Sequence, residues 1–233
     1  MVNILAIIPA RGGSKRLPGK NIMKFCGKPM IAWTIDSAKG CRHISRVIVS
    51  TDDKKIASIA KKHGAEVPFM RPEHLATDTA TTVSVIEHAL SFLKEKEGYS
   101  PDFICLLQPT APLRTAKHIT EAVELLLAKK ADACVSVVET KLNPYLTNTI
   151  DEDGMFRNYI EGTGRGFVAK LKPQKTYMLN GAVYLIRPEI FLREKTFEPE
   201  KTAAYVMDEY DSVDIDTKDD FIVAKLIKKN LKR

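Results

Sequence analysis

The sequence predicts an α/β protein built on a doubly wound, mostly parallel sheet in three layers, and three observations carry that expectation. Residues 3–9 read as a first strand, with Ile4, Leu5, Ala6, Ile7 and Ile8 unbroken, the mark of a strand covered on both faces. Strand-like and helix-like segments then alternate as far as residue 138 with short connections, as in βα units that place helices on both sides of a parallel sheet. The length of 233 residues suits one domain over residues 1–233 with a modest insertion. A chain of this size removes roughly 70–75% of its extended surface from water on folding, enough for a core without disulfides or metal.

The elements follow in order. After the first strand comes a basic, Gly-rich stretch, then a helix over residues 29–39 with Pro29 suited to a first turn. Val47, Ile48 and Val49 mark a strand over residues 43–50. Ile56, Ile59 and Ala60 mark a helix over residues 53–63 that stops at Gly64, and residues 66–70 read as a short strand. Val83, Ile86, Leu90 and Leu93 form one stripe of a helix over residues 83–96. A buried strand over residues 103–107, a helix over 116–129 and a strand over 133–138 complete the regular part. Residues 141–179 break the pattern with Asn143-Pro144, Asp153-Gly154, Gly162, Gly164, Gly166 and Pro173. That stretch is too long for a plain connection and reads as an inserted β-rich arm with a strand-like piece at residues 145–150. Strands over 180–186 and 203–207 return. Thr217 then caps a last helix running to about residue 231, with Asp219 and Asp220 early and Lys225, Lys228 and Lys229 late, complementing the helix dipole.

Composition excludes several classes. Hydrophobic residues make up 44% and charged residues 28%, which is globular composition and not that of a disordered chain. No basic region precedes the short apolar run at the start and no apolar stretch reaches 18 residues, so neither a leader nor a membrane span is expected. Cys26, Cys41, Cys105 and Cys134 are scattered without a C-x-x-C pair and read as reduced core residues. The five histidines show no metal-ligand spacing. A soluble, cytoplasmic protein is expected. The 36 Lys+Arg against 29 Asp+Glu give a formal +7, which admits a nucleotide, a nucleic acid or an anionic surface as partner. Distribution decides among them. Aromatics are 7%, with none between Arg11 and Lys24, so the stacking pattern of a single-strand binder is missing and no nucleic acid is expected.

The densest signal is the segment leaving the first strand. Residues 11–28 carry Arg11, Lys15, Arg16, Lys20, Lys24 and Lys28 and no acid, at the ligand edge of an open α/β sheet. Gly12 and Gly13 let backbone N–H groups approach an anion, and several fixed donors suit a triphosphate. A solvated basic loop is the plain alternative. The segment is not a Walker loop, because Ser14 stands where Gly is required and Asn21 follows Lys20, and the G-x-G-x-x-G fingerprint is absent. In an extended stretch Asp214 and Asp216 share a face, a sparse carboxylate pair of the kind Mg²⁺ uses; helix-capping acids are the alternative. Gln108 ends a central strand where a polar substrate would lie. Arg71 follows a strand, and Thr77, Asp78 and Thr79 are just as readily caps for the helix after them.

Taken together the motifs resemble the acylneuraminate cytidylyltransferases, along essentially the whole chain. The resemblance rests on Ile8-Pro9-Ala10-Arg11-Gly12-Gly13-Ser14-Lys15 with Leu17-Pro18 and Lys20-Asn21, then Gly27-Lys28-Pro29 and Trp33-Thr34. It continues through Val49-Ser50-Thr51-Asp52, Arg71-Pro72, Asp78-Thr79, Leu107-Gln108-Pro109-Thr110, Pro112-Leu113-Arg114, Asn180-Gly181-Ala182 and Asp214-Ile215-Asp216. It implies a Rossmann-like nucleotidyltransferase fold with a dimerisation arm. The implied reaction is transfer of CMP from CTP to the anomeric hydroxyl of a nonulosonic acid, with ketodeoxyoctonate as the alternative acceptor. By the same resemblance Arg11, Ser14 and Lys20 would hold the triphosphate. Asn21, Arg71 and the backbone near Ala80 would recognise the nucleotide, with Ala10 and Gly12 also against substrate. Asp214 and Asp216 would bind Mg²⁺ and, with Arg11 and Lys20, form the catalytic set. Gln108, Arg114 and Asn180 would line the sugar side. The family works as a homodimer whose arm closes over the neighbour's site. Its members carry basic residues, typically Arg, upstream of the Asn-Gly pair for the sugar carboxylate; here only Lys170 or Lys172 offers that charge, without a bidentate fork. Sialic, legionaminic and pseudaminic acids all remain acceptors.

Overall fold

The computed structural model of the protein describes residues 2–170 and 175–230. In chain order its elements are β1 (Ile4–Pro9), β2 (Lys24–Phe25), β3 (Lys28–Pro29), α1 (Met30–Lys39), β4 (Ile44–Ser50), α2 (Lys54–Lys62), α3 (Thr82–Glu97), β5 (Phe103–Leu106), α4 (Ala116–Lys129), β6 (Ala133–Thr140), β7 (Asn148–Ile150), β8 (Phe156–Asn158), α5 (Arg165–Val168), β9 (Thr176–Ile186), α6 (Pro188–Glu194), β10 (Thr202–Met207) and α7 (Lys218–Asn230). The main sheet has the order β10-β6-β9-β5-β1-β4. Parallel pairs join β1 to β4 and β5, and β6 to β10, while β9 runs antiparallel to both β5 and β6. Five strands therefore point one way and one is reversed, the mostly parallel doubly wound sheet that the strand–helix alternation predicts.

The period of two in the strands sorts the core into two layers. From β1, Ile4, Ala6 and Ile8 face the cluster built with α1, α2 and α4 (Ile31, Ile35, Ile56, Ile119, Val123). Leu5 and Ile7 face the other, built with α3 and α6 (Ile86, Leu90, Leu93, Ile190, Phe191). A third, smaller cluster joins Leu17, Phe25, Met30, Leu113, Ile215 and Ala224, with Trp33, Phe221 and Ile227 packed on it. It fastens α7 and residue 215 to the segment that follows β1.

Because β9 runs antiparallel to β6, its amino end lies at the same sheet edge as the carboxyl end of β6, and the connection between them starts and ends at that edge. The described part forms the hairpin β7–β8 and the short α5. Residues 177–179, which the sequence assigns to the insertion, pair with β6 as the start of β9. The register then slips: residues 180–183 stand opposite the single Ser136 between the pairs Val137↔Leu179 and Val135↔Tyr184. Ser136 Oγ donates to Asn180 Oδ1 (2.6 Å) and accepts from Val183 N (2.7 Å), which stitches the bulge to β6.

Other departures are local. Residues 66–70 make only isolated bridges, Ile48↔Glu66 and Thr51↔Met70. Residues 144–146 form a 3₁₀ turn ahead of β7. Pro29 is the N-cap of α1 and not its first residue. The β2–β3 hairpin, unforeseen, turns on Cys26 and Gly27, both with positive φ, so Cys26 is half-buried while the other three thiols are buried. The seven-residue α6 was also unforeseen. No helix among the described residues is long and apolar enough to cross a membrane. Leu93 of α3 is fully buried against the sheet, so Leu93→Ala is expected to cost about 2–5 kcal/mol of stability, read from urea unfolding.

Candidate functional site

The carboxyl ends of β1 and β5, residues 71–85 and the segment after β10 converge on one cleft of about 640 Å³. Of the sequence-selected residues, Arg11, Ser14, Lys20, Asn21, Arg71, Ala80, Gln108, Asp214 and Asp216 line it, joined by Lys15, Arg16, Asp78 and Thr110. Ala10 is buried beneath, its N–H donating to Ser50 O (2.9 Å). Gly12 sits just behind, its N–H donating to Asp52 Oδ1 (3.0 Å). A Cβ on Gly12 would stand 2.9 Å from Asp53 Oδ2, and Asp53 is fixed by accepting from Lys55 N and Ile56 N as the N-cap of α2. Glycine at position 12 is thus a matter of close approach between two loops.

Each cation of the cleft is held by oxygen. Arg11 pairs with Asp78 (Nη2–Oδ1 2.8 Å) and donates from Nη1 to Thr77 O (2.8 Å), while Lys15 takes the other oxygen of Asp78. Lys20, with 17% of its side chain exposed, pairs with Asp216 Oδ1 (3.0 Å), and Arg16 takes Asp216 Oδ2 (2.7 Å). Asn21 is buried and ties the loop to itself by donating from Nδ2 to Arg11 O (2.9 Å). Arg71 is buried at the cleft wall, donating to Ser50 Oγ (3.0 Å), Ser50 O (2.5 Å) and Leu75 O (3.5 Å). Burial lowers its pKa to about 10, with nearby Asp52 opposing and Arg11 adding to the shift, so it remains a cation at neutral pH.

Asp214 and Asp216 both reach the cleft because Ile215 between them is fully buried and its N–H donates to Thr110 O (2.8 Å). Val213 is extended after the 3₁₀ turn Tyr210–Ser212, and residues 213–216 belong to no strand. Among the described residues Asp214 makes no ion pair. Partial burial chiefly raises its carboxyl above the usual value, and Asp216 adds to this, against a hydrogen bond from Thr110 and the charge of Lys20. No group of three or more His, Cys, Asp or Glu among the described residues is placed to hold a metal.

Besides Ala10 and Gly12, three further selected residues do not line the cleft. Arg114 is buried, donating to Gln108 O (3.1 Å), Ala182 O (2.8 Å) and Ser37 Oγ (3.4 Å). Asn180 is buried too, held between Ser136 and Ser212; its neighbour Gly181, at φ +72°, is what meets the site, since a Cβ there would stand 3.0 Å from Gln108 Oε1 and 3.7 Å from Asp214 Oδ2. Lys170 is exposed just after α5, and Lys172 lies outside the described residues. Asp78 is the residue that sequence reasoning left among capping candidates. Thr81 is the actual N-cap of α3, accepting from Ser84 N (3.1 Å). With Thr81 directly before the helix, an acid three positions earlier was surplus to capping, and that was the available signal.

A family model described as cytidylyltransferase matches residues 5–221. An N-acylneuraminate cytidylyltransferase of Streptococcus agalactiae serotype V is 38% identical over 220 residues, covering 94% of this chain and 51% of that protein. The chain thus spans about half the length of that curated relative. A CMP-N,N'-diacetyllegionaminic acid synthase of Legionella pneumophila is 36% identical over 98% of both chains. Among solved structures, a CMP:2-keto-3-deoxy-manno-octonic acid synthetase complexed with CTP superposes with a TM-score of 0.69 at 16% identity, covering 98% of this chain and 99% of that one. At that identity the likeness establishes the fold.

The raised Asp214 carboxyl has a consequence for stability. The native state holds this proton more tightly than the unfolded chain, so ionisation opposes folding. The penalty is absent below the ordinary carboxylate pKa, grows as pH rises through the raised value and is complete above it. Asp214→Asn is therefore expected to melt at a higher temperature than the parent near pH 7, with the gain shrinking in acid, as thermal melts at pH 7 and pH 4 would show.

Proposed function

Because the chain belongs to the cytidylyltransferase family, we propose that it transfers CMP from CTP to the anomeric hydroxyl of a nonulosonic acid of the sialic type. The observation that carries this reading is the convergence of Arg11, Lys15, Arg16, Lys20 and Arg71 with the Asp214–Asp216 pair in one cleft. In the reaction the acceptor hydroxyl oxygen forms a bond to the α-phosphorus of CTP, the bond from that phosphorus to the bridging α–β oxygen breaks, pyrophosphate leaves and the hydroxyl proton is released. Arg11, Ser14 and Lys20 bind and orient the polyphosphate, since phosphoryl transfer is mostly positioning and charge stabilisation. Asn21, Arg71 and the backbone at Ala80 receive the nucleoside, with Ala10 and Gly12 beneath. Gln108 faces the sugar side, supported by Arg114 and Asn180 from behind.

Asp214 and Asp216 fit a Mg²⁺ ion that keeps most of its shell for water and phosphate oxygens. Asp214 makes no ion pair among the described residues, and burial first and its twin Asp216 second raise its carboxyl, so a cation between the two would relieve both. When bound, Mg²⁺ supplies Lewis-acid stabilisation of phosphate charge. The free thiols suit a reducing compartment, the cytoplasm. Incubation with CTP, Mg²⁺ and a panel of N-acetylneuraminic, diacetyllegionaminic, pseudaminic and ketodeoxyoctonic acids is expected to release pyrophosphate with a nonulosonic acid. Asp216→Ala is expected to lower turnover at least a hundredfold with unchanged circular dichroism. Silence of the parent protein across the panel overturns the reading.

The protein is proposed to act as a homodimer. Leu142, Ile150 (74%), Phe156 (70%), Tyr159, Tyr177 and Met178 are exposed on the insertion and the start of β9, and such a concentration of exposed apolar side chains marks an interface. A second copy seated there would bring the exposed Lys170 toward a neighbouring cleft for the sugar carboxylate. Sedimentation is expected to give twice the 26.0 kDa chain mass for the parent and a single chain for Ile150→Asp/Phe156→Asp.

A further inference from the structure

One carboxylate of the cleft has no part in the transfer just described. Asp78 follows the 3₁₀ turn Glu73–Leu75 and precedes α3, yet it does not serve that helix, which Thr81 caps. Its two oxygens are spent on Arg11 and Lys15, and the adjacent Thr77 carbonyl accepts a further bond from Arg11. The cations that would hold an incoming polyphosphate are therefore already occupied, and by an anion 42% exposed to solvent. Asp216 blocks Lys20 and Arg16 in the same way, but it stands beside Asp214 and keeps a use when a cation arrives. Among the described residues no second carboxylate acts on Asp78 as Asp216 acts on Asp214.

We propose that Asp78 is a built-in counter-ion that occupies the polyphosphate cradle in the free protein and is displaced when the polyphosphate binds, so that it sets affinity and favours release. The proposal rests on reading the cleft as a CTP site. Lys15 and then Arg11 keep the carboxyl below its usual range, so it stays an anion throughout the working pH range. A polyphosphate and Asp78 cannot both sit on the same guanidinium and ammonium faces without placing like charges in contact, which is unfavourable. The exchange is easy because exposed ion pairs are weak. It also has a use: the carboxylate keeps Arg11 and Lys15 aimed into the cleft when no anion is bound, and after transfer it competes with departing pyrophosphate. Release of product is a common limit on turnover.

Calorimetric titration of the full chain with inorganic pyrophosphate, and separately with CTP, tests this. Asp78→Asn keeps the side chain's shape without its charge and is expected to tighten pyrophosphate binding three- to tenfold, with slower dissociation by stopped flow. Asp78→Glu restores the charge and is expected to bind as the parent does. Binding by Asp78→Asn that is unchanged or weaker overturns the proposal, because Asp78 would then be aiming the two cations and not competing for them. Failure of the parent and both variants to bind either ligand overturns the reading of the cleft together with the proposal, whereas CTP binding with no Asp78→Asn gain overturns the counter-ion alone.

Discussion

Five cations in one concavity repel one another, and partial desolvation strengthens that repulsion. The rest of the site is arranged around this constraint. Every one of Arg11, Lys15, Arg16, Lys20 and Arg71 is satisfied by protein oxygen: Asp78 and the Thr77 carbonyl on one side, Asp216 on the other, Ser50 and the Leu75 carbonyl at the wall. Asp52 does not join them directly; its carboxylate accepts from Gly12 N and so fixes the loop's backbone. The anionic partners come from sequence positions remote from the loop, so the cleft exists only in the folded chain. A surface gathering so much positive charge in a cleft is suited to a compact, highly charged ligand, and the paired aspartates suit one that arrives with a divalent cation.

The fold meets the constraint with two devices outside the main layers. The small cluster of Leu17, Phe25, Met30, Leu113, Ile215 and Ala224 binds the basic loop, the end of β5, the aspartate segment and α7 into one block. Without it the Asp216 pairs to Lys20 and Arg16 would join two independently moving segments. The other device is the reversed β9. Its bulge at residues 180–183 pushes Gly181 toward Gln108 and Asp214, and its reversal makes the connection from β6 start and end at the same sheet edge. An all-parallel sheet would have returned that connection at the opposite edge, away from the cleft.

What the sequence disclosed and what it hid divide along physical lines. The strand β1 was legible because both its faces are buried, so five apolar residues stand unbroken. The helices α2 and α3 were legible from the spacing of Ile56, Ile59 and Ala60 and of Val83, Ile86, Leu90 and Leu93. The start of β9 was hidden because Tyr177, Met178 and Leu179 are exposed on a strand paired only with β6 at that point, so no alternation marks it. The helix α6 is too short to show a period. Of the site, Arg11, Lys20 and the aspartate pair could be read from local charge density and from alternation about Ile215. Asp78 left only one signal, that it was surplus to capping, because its partners are remote in sequence and its own surroundings look like a cap. Nothing local distinguishes an arginine that faces a cleft from one that faces the core, and Arg114 was misplaced for that reason.

Arg114 shows how strongly the fold is committed to this geometry. Among the described residues its buried guanidinium has no carboxylate partner and its Nη2 no hydrogen-bond partner, and burial lowers its pKa to about 10. A buried cation without a counter-charge is a cost to stability, and an apolar side chain of similar volume would remove that cost. Such a side chain could not do what Nη1 does, which is to donate at once to the carbonyls of Gln108 and Ala182. Those carbonyls belong to the end of β5 and to the bulge of β9. The spacing between Gln108 and Gly181, whose substituents would stand 3.0 Å apart, is thus set by a bridge from beneath. Nε reaches Ser37 of α1, so the bridge is referenced to the helix layer and not only to the sheet. The wall of the cleft opposite the basic loop is therefore rigid for the same reason that the loop is restrained: in both, a cation has been given backbone or carboxylate oxygen to hold.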